Sequence, residues 1–327
     1  MIALFDIGGT NFRSAIYHNQ ILSNIEKTLT PNYTMGLSET EINNHILDKI
    51  YSFVIKNDKI YCIGVCFAGP ISKSGIVWGS GVIYGNILKN KYNLKDLIIK
   101  KTNIKIVYVV NDLYAAALRY KNYYKNYLIL TVSSGIGNKI VINRNVQIGD
   151  DGLEGEIGHI RAIDCDNINI NCDCGCGTNH IGSISSGRGI ENIANKYKYS
   201  LFKNQYEKSI LIKKQFISIC DIAIAADNND LFSIEIINYC TRPLAYVLCT
   251  ILSSLYLEKI ILMGGFAQNC NSYIKILKNN MLDFGVYNYN SEMILEKIVI
   301  GHNDDDHGLL GLIEYIKSNY ILESIKC

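Results

Sequence analysis

The chain has 327 residues, of which 32 are Lys or Arg and 30 are Asp or Glu, so its formal net charge is only +2. A chain of this length can form two domains, since domains usually have roughly 100–200 residues. The near-neutral charge gives no field that would draw the chain to nucleic acid or to an anionic membrane. We therefore expect a small molecule as its partner.

The lack of a recognisable targeting signal and the pattern of cysteines both predict a cytoplasmic protein. Met1 leads directly into IALFDIGGT without a charged leader, and no apolar run reaches the roughly 18 residues of a membrane helix. In a reducing compartment, scattered cysteines are expected to be small buried hydrophobic residues and clustered ones to be metal ligands. The scattered set is Cys62, Cys66, Cys220, Cys240, Cys249, Cys270 and Cys327, and the clustered set is Cys165, Cys172, Cys174 and Cys176.

The first third of the chain predicts alternating strands and helices. The opening IALFDIGGTNFRSAIYHNQIL is typical of a strand, a Gly-Gly turn and an antiparallel strand. Apolar residues recur at helical spacing over Ser38–Asn57. The segments KIYCIGVCFAGP and IKIVYVVND predict buried strands, and the second carries Asn111 and Asp112 at its carboxyl end. The alanine-rich Leu113–Tyr120 then predicts a helix.

A similar pattern then begins again. Strand, small-residue turn and strand occur at Ala3–Tyr17 and at Leu128–Asn143, which suggests two related lobes with a cleft between them. Later, EKIILMGGFAQNC predicts a strand that meets a helix through Gly264 and Gly265, and DDDHGLLGLIEYIKS predicts a closing helix.

Two small-residue turns could hold phosphate groups, because glycine lets backbone N–H groups approach an anion closely. A third could let an adenosine lie against bare backbone at a helix N-terminus. The candidate residues are Asp6, Gly8, Gly9, Thr10 and Asn11 in the first turn, Ser133, Ser134 and Gly135 in the second, and Gly264 and Gly265 in the third. An Asp before such a turn can hold hydrated Mg²⁺. The alternatives are an ordinary glycine hairpin for the first turn and tight helix packing for the third.

Taken in order, the segments DIGGTN, GVCFAGPISKSG, VVNDLYAAAL, LTVSSGIGNKIVINRNVQIG, GLEGEIGH, IILMGGFAQN and DDDHGLLG give the chain a resemblance to the ROK family, a branch of the actin-like, hexokinase-type ATPases. The resemblance implies an α/β fold of two actin-like (RNase H-like) lobes, with mixed sheets flanked by helices and an interlobe cleft. The small lobe would be residues 1–115, completed by a helix at 308–327, and the large lobe residues 116–307.

The resemblance also implies an ATP-dependent phosphotransferase that acts on a hydroxyl of a hexose or hexose-like molecule and uses Mg²⁺ and a structural Zn²⁺. Asp112 would be the general base. Asn111, Glu156 and His159, together with Asp112, would bind the sugar. The alternative for Asp112 is a helix N-cap ahead of Leu113–Tyr120. The alternative function is a non-catalytic sensor of sugar or nucleotide.

A cysteine-rich loop is the family's zinc site, in which a His of the Glu-x-x-His segment joins three further ligands and turns its other ring nitrogen toward the sugar. His159 matches that residue, and His180 matches the last ligand. The loop differs from the family by one residue, so the C-x-C pair is either Cys174 and Cys176, which we favour, or Cys172 and Cys174. Cys172 and Cys165 are then held in reserve as ligands.

Two departures affect the substrate. The family usually has a sugar-binding Glu at the position of Gly182, and it often has an Ala-Pro-Asn-like segment where this chain has Trp78–Asn86. The room left by the missing Glu could accept a substituent, so N-acyl amino sugars and cyclitols stand beside glucose. Family repressors carry a DNA-binding domain before the first turn, for which the position of Asp6 leaves no room. Family members often form dimers, so a homodimer is the assembly that the resemblance suggests.

Overall fold

The structure is a computed structural model that describes residues 1–85, 90–172, 175 and 177–325, with side chains up to residue 319. The chain divides into two compact units. The first contains residues 1–123, 144–154 and the chain from 304 onward, and the second contains residues 124–143 and 155–303. Both combine strands with helices, so the predicted α/β class is confirmed.

The first unit is built on one sheet of five strands. These strands are β1 (Ile2–Ile7), β2 (Asn11–His18), β3 (Ile21–Leu29), β4 (Cys62–Phe67) and β7 (Ile106–Asn111), and their order across the sheet is β3-β2-β1-β4-β7. The β1–β2 and β2–β3 pairs are antiparallel, whereas β4 runs parallel to both β1 and β7. Shorter strands are β5 (Ile76–Val77), β6 (Tyr92–Asn93) and β10 (Asn145–Val146).

The helices of the first unit are α1 (Glu39–Lys56), α2 (Leu94–Thr102), α3 (Asp112–Leu118) and the C-terminal α12 (His307–Ile325). Helix α1 begins where the sequence predicts it, because Ser38 and Glu41 form a capping box. Its apolar stripe packs into the core through Ile42, Ile46 and Ile50.

Helices α12 and α3 pack closely in the same unit. Gly311 allows this contact, since a Cβ atom at that position would overlap the carbonyl group of Ala115. Leu309, Leu312 and Ile316 of α12 are buried in a cluster that also contains residues of β1 and β4. The C-terminal helix therefore belongs to the core of the first unit.

The second unit contains a sheet in which β8 (Tyr127–Val132), β9 (Ile136–Ile142), β11 (Lys259–Met263) and β12 (Ile298–Ile300) follow the order β9-β8-β11-β12. Its helices are α4 (Ile181–Ser185), α5 (Gly187–Tyr197), α6 (Lys203–Tyr206), α7 (Ile219–Asp227), α8 (Leu231–Ser254), α9 (Gly265–Gln268), α10 (Asn271–Phe284) and α11 (Ser291–Leu295). Strands β8 and β9 are antiparallel, and β11 is parallel to β8 and β12. The order repeats β2-β1-β4-β7 of the first unit, as the predicted duplication requires.

Most of the scattered cysteines lie where the sequence predicts. Cys62, Cys66, Cys240, Cys249 and Cys270 are buried. The prediction is wrong for Cys220, which is exposed on the first turn of α7 because the apolar stripe of that helix passes through other positions. Cys327 lies outside the described residues.

Candidate functional site

Asn111 and Asp112 lie at the junction of β7 and α3 in the first unit. Phe67 pairs with Asn111 across β4 and β7, so the turn that follows β4 passes beside the start of α3. The Asp112 Oδ1 atom accepts hydrogen bonds from the Asn111 Nδ2 atom at 2.9 Å and from the Leu113 amide at 2.8 Å. Two donors thus orient the proposed base.

The helix cap at this junction is Asn111. Its Oδ1 atom accepts the Tyr114 amide at 3.0 Å, whereas Asp112 is already the first residue of α3. The alternative reading of Asp112 as the N-cap is therefore wrong. Besides Asp112, the Asn111 Nδ2 atom donates to the Gly69 carbonyl at 3.0 Å. Asp112 retains a position from which its carboxylate can act chemically.

The first small-residue turn joins β1 to β2, as predicted. The Gly8 amide donates to the Asn11 carbonyl at 3.0 Å, and the Thr10 carbonyl accepts the Thr30 amide at 2.9 Å. Gly9 is required by close packing, since a Cβ atom there would lie 2.7 Å from the Cβ atom of Val82. The turn is therefore narrow and held from two sides.

Asp6, at the end of β1, is buried and already paired within the first unit. Its Oδ2 atom lies 3.1 Å from the Arg13 Nη1 atom, and its Oδ1 atom accepts the Cys66 thiol at 3.3 Å. Burial raises the pKa of Asp6, and the positive charge of Arg13 opposes that rise. Arg13 also contacts Asp305 at 3.1 Å, so one guanidinium joins two carboxylates.

The second and third turns lie at neighbouring strand ends of the second unit. Thr131 pairs with Met263 across β8 and β11. The Ser133 amide donates to the Gly135 carbonyl at 3.0 Å, and the Ser133 carbonyl accepts the Gly187 amide at 2.8 Å. The start of α5 therefore lies against the Ser133–Gly135 turn.

Open backbone is available at two of these glycines. No atom lies within 4 Å of a Cβ built on Gly135 or Gly265, whereas a Cβ on Gly264 would overlap the Val132 carbonyl. Gly264 also has a φ of 102°, which favours glycine. Gly264 thus meets the requirement of close packing against β8, whereas the backbone at Gly135 and Gly265 has open space where a side chain would stand. The open backbone at Gly135 and Gly265 could approach phosphate closely.

His159, Cys172 and His180 form a cluster in the second unit, with ligand atoms all within 4.8 Å of one another. The His159 Nδ1 atom lies 3.8 Å from the Cys172 Sγ atom. Two ligands of a tetrahedral zinc ion, at the usual Zn–N and Zn–S distances, lie about 3.5 Å apart. The donor set and spacing therefore fit Zn²⁺.

Glu156 lies on the other side of the His159 ring. Its Oε2 atom is 3.9 Å from the His159 Nε2 atom. Burial raises the pKa of Glu156, and the charges of Lys139 and His159 oppose the rise. The two ring nitrogens of His159 thus face different partners, the thiol and the carboxylate.

The other predicted zinc ligands have different outcomes. Cys174 and Cys176, which we favoured from the sequence, lie outside the described residues. Among the cysteines that the structure describes, Cys172, the alternative, is the one beside the two histidines. Cys165 is buried in the core of the second unit, where burial raises its pKa to about 11, so its thiolate is disfavoured.

The departures from the family pattern have a local explanation. A Cβ atom on Gly182 would lie only 3.0 Å from the Gly158 carbonyl, so the backbone itself approaches the turn before His159. A side chain at position 182 would therefore crowd that carbonyl with its first atom. In Trp78–Asn86, Ile83 and Tyr84 are buried while Val82 is 46% exposed beside Gly9; Asn86 lies outside the described residues.

Sequence reasoning missed two cations next to predicted site residues. Arg13 pairs with Asp6, and Lys139 is only 3% exposed although it lies on β9. A Cβ atom on Gly155 would lie 2.9 Å from the Lys139 Nζ atom, beside Glu156. The alternation of side chains along β2 predicts on which face of the strand Arg13 lies. Nothing in the local sequence indicates that Lys139 is buried.

Relatives of known activity match most of the chain. A C(7)-cyclitol 7-kinase of Streptomyces hygroscopicus subsp. jinggangensis is 28% identical over 76% of this chain and 72% of its own length. A glucokinase of Halalkalibacterium halodurans is 29% identical over 84% and 83%. An N-acetylmannosamine kinase of Haemophilus influenzae is 26% identical over 95% and 94%.

Solved structures share the fold. A ROK family glucokinase of Streptomyces griseus, in complex with glucose and AMPPNP, has a TM-score of 0.72 at 19% identity and covers 96% of this chain and 98% of its own. A ROK family transcriptional regulator, a homologue of the E. coli MLC protein, has a TM-score of 0.76 at 20% identity over 96% and 78%. The fold is thus that of ROK proteins, with their two actin-like lobes.

Among the residues that the structure describes, no helix combines the length and the hydropathy of a membrane span. A sequence profile of the ROK family matches residues 2–319. The chain belongs to the ROK family.

Proposed function

We propose that this protein is an ATP-dependent phosphotransferase that phosphorylates a hydroxyl group of a hexose or hexose-like substrate. The observation that carries the proposal is the geometry of Asp112, which stands at the carboxyl end of β7 with its Oδ1 atom held by two N–H donors. Membership of the ROK family and the kinase activities of the matched relatives support it.

Asp112 has the role of general base in this proposal. Its carboxylate accepts the proton of the attacking sugar hydroxyl, whose oxygen displaces ADP from the γ-phosphate. Backbone N–H groups at Gly135 and Gly265 bind phosphate oxygens. Asp6, paired with Arg13, stands at the first turn. Mg²⁺, when bound, neutralises charge on the phosphates.

Glu156 and His159 bind the sugar hydroxyls, and Zn²⁺ is a structural ion. His159, Cys172 and His180 would hold it through nitrogen and sulfur, with Cys174 or Cys176 as the remaining candidates. His159 is then fixed through Nδ1, which leaves its Nε2 atom and the Glu156 carboxylate to orient the substrate.

The acceptor falls within the range of the matched relatives, which are named as kinases of a cyclitol, of glucose and of N-acetylmannosamine. The test is ADP release, measured with ATP and Mg²⁺ against a panel of hexoses, N-acyl amino sugars and cyclitols. Turnover that depends on one acceptor class would support the proposal. An absence of acceptor-dependent ADP release across the panel would sink it.

A non-catalytic sensor is the second candidate, because a transcriptional regulator shares the fold. Titration calorimetry beside the ADP assay separates the two functions. A sensor would bind a sugar or ATP and release no ADP with any acceptor. A kinase would bind both substrates and release ADP with its acceptor.

Lobe boundaries, assembly and location remain part of this proposal. The sequence predicts a small lobe of residues 1–115 with 308–327 and a large lobe of residues 116–307. By their contacts, residues 116–123, 144–154 and 304–307 group with the first unit instead, so we propose that the lobes follow the two compact units. A homodimer and a cytoplasmic location stay predictions, and the small-molecule substrates are the partners.

A further inference from the structure

We propose that a pocket in the first unit binds a phosphorylated monosaccharide at a site separate from the acceptor site. The pocket has a volume of about 340 Å³ and is lined by residues from the end of β7, from α3 and α12 and from the segment 144–148. Every residue that lines it belongs to the first unit. Its volume lies at the lower end of the range of small-ligand sites, roughly 300–1,000 Å³, so it suits a small metabolite.

The pocket differs from the proposed acceptor site in its lining. Asn111 lines it, whereas Asp112, Glu156 and His159 do not. A ligand in this pocket would therefore lie beside the end of β7 without reaching the proposed base. The pocket is a second candidate site and not a part of the one described above.

The charges around the pocket favour an anion. Lys73, Lys121 and Arg144 line it, and no Asp or Glu among the described residues does so. Both lysines have carboxylate partners outside the lining, with Lys73 Nζ 2.8 Å from Asp150 and Lys121 Nζ 3.1 Å from Glu314. Three cations less these two carboxylates leave one uncompensated positive charge, that of Arg144.

The Arg144 guanidinium is oriented at the pocket and keeps donors for a ligand. Its Nε atom donates to the Lys121 carbonyl at 3.1 Å, and within the described part of the chain its Nη atoms have no hydrogen-bond or ion-pair partner. A guanidinium held in this way presents a planar fork that matches two oxygens of a phosphate or a carboxylate. Arg144 also has a φ of 63°, which favours glycine, so the backbone of the turn does not itself call for arginine.

The rest of the lining fits the body of a sugar. Four uncharged polar side chains can hydrogen-bond with hydroxyl groups, namely Ser72, Asn145, Ser318 and Asn319. Tyr114 and Tyr315, whose ring centroids are 5.6 Å apart, add aromatic surface for the C–H groups of a sugar ring. The choice of phosphate over carboxylate as the anion rests on the proposed function, since the product of that reaction is a phosphate ester of a sugar-like molecule.

The test is calorimetric titration of the wild type and of Arg144→Gly, with the catalytic site filled by AMPPNP, Mg²⁺ and the best acceptor. The probes are glucose 6-phosphate, glucose 1-phosphate and N-acetylmannosamine 6-phosphate. We expect at least one probe to bind the wild type at roughly one per chain, and the variant to lose on the order of 10–100-fold in affinity because a charged hydrogen-bond donor is removed. Failure of all three probes to bind, or equal affinity in the variant, would overturn the proposal.

Gln20→Gly is the matched control. Gln20 and Arg144 are both the second residue of a two-residue turn between antiparallel strands, with φ values of 65° and 63°. Glycine suits that conformation, so both variants should fold at least as well as the wild type. Gln20→Gly should bind the probe as the wild type does, and an equal loss of affinity would refute the role of Arg144. Equal or tighter binding of glucuronate would overturn the assignment of phosphate.

The outcome for this pocket can be separated from that for the proposed function. Without a probe present, Arg144→Gly should release ADP within about twofold of the wild-type rate, because the base is untouched. A wild type that releases no ADP with any acceptor, yet binds a probe through Arg144, would remove the kinase and keep the pocket. An active wild type that binds none of the probes would remove only the pocket.

Discussion

The Nδ1 atom of His159 and the Sγ atom of Cys172 lie 3.8 Å apart. The opposite ring nitrogen, Nε2, lies 3.9 Å from a Glu156 carboxylate oxygen. A metal ion on the Nδ1 side would set the tautomer of the imidazole and leave Nε2 to act on a substrate. The two nitrogens of the His159 ring thus serve different sites, and this is the structural basis of the proposed coupling between the zinc site and the sugar site.

Removal of Cys172 tests that coupling. The variant Cys172→Ser should bind less zinc than the wild type, for which we expect roughly one ion per chain, because a hydroxyl is a poorer zinc ligand than a thiolate. Elemental analysis of the purified proteins gives the metal content. Cys220→Ser is the control, since Cys220 is exposed on α7 and should not affect zinc. Equal zinc in wild type and Cys172→Ser would contradict the assignment.

Arg13 is expected to stabilise the first unit through the buried Asp6. Replacing it in Arg13→Gln leaves a buried carboxylate without its cation, which should cost about 3 kcal/mol in the free energy of unfolding. Lys27→Met is the matched control, because the Lys27 ammonium forms its salt bridge with the exposed Asp305 at 2.7 Å. Its cost should be below about 1 kcal/mol. Urea denaturation measures both, and equal effects would argue against a special role of the Arg13–Asp6 pair.

Much of the fold could be predicted from the sequence, because it depends on local patterns. The helical spacing of Ile42, Ile46 and Ile50 predicts α1, and the small-residue turns predict the paired hairpins of the two units. Gly264 shows the limit, since the same glycine suits a ligand or tight packing, and the local sequence does not show how close the Val132 carbonyl lies to it.

The site was less predictable for a physical reason. Asn and Asp are almost equally good N-caps, so adjacent Asn111 and Asp112 can be distinguished only by backbone geometry. The cysteine loop fits two alignments, and the position of Cys172 beside two histidines depends on how the chain folds back. The burial of Lys139 likewise follows from tertiary packing, which no spacing rule records.

An ion pair at the start of α12 predicts a pH dependence of stability. Asp304 accepts both Arg119 Nη atoms, at 2.5 and 2.7 Å, and these hydrogen bonds lower its pKa from 3.8 to about 2. Because the pKa is lower in the folded state, the ion pair stabilises the fold fully at a pH above the ordinary pKa of Asp. This contribution is lost as the pH falls through the pKa of the folded state. Because Asp304 is 40% exposed, we expect only about 0.5–1 kcal/mol.

The measurement compares the wild type with Asp304→Asn by urea unfolding at about pH 7 and at about pH 3. The difference in free energy of unfolding should be larger at the higher pH. Asp151→Asn, which removes an exposed carboxylate from the same unit, controls for net charge. A difference that stays constant or grows on acidification would contradict the proposed ion-pair effect.

The most direct test of the account is acceptor-dependent ADP release by the wild type and by Asp112→Asn, with ATP, Mg²⁺ and the best acceptor from the panel. We expect the wild type to turn over and the variant to lose on the order of 1,000-fold or more in kcat, because it lacks the base for the sugar hydroxyl. Calorimetric affinity for the acceptor should be largely retained. Wild-type turnover that survives intact in Asp112→Asn would contradict the central claim that Asp112 is the general base of a sugar kinase.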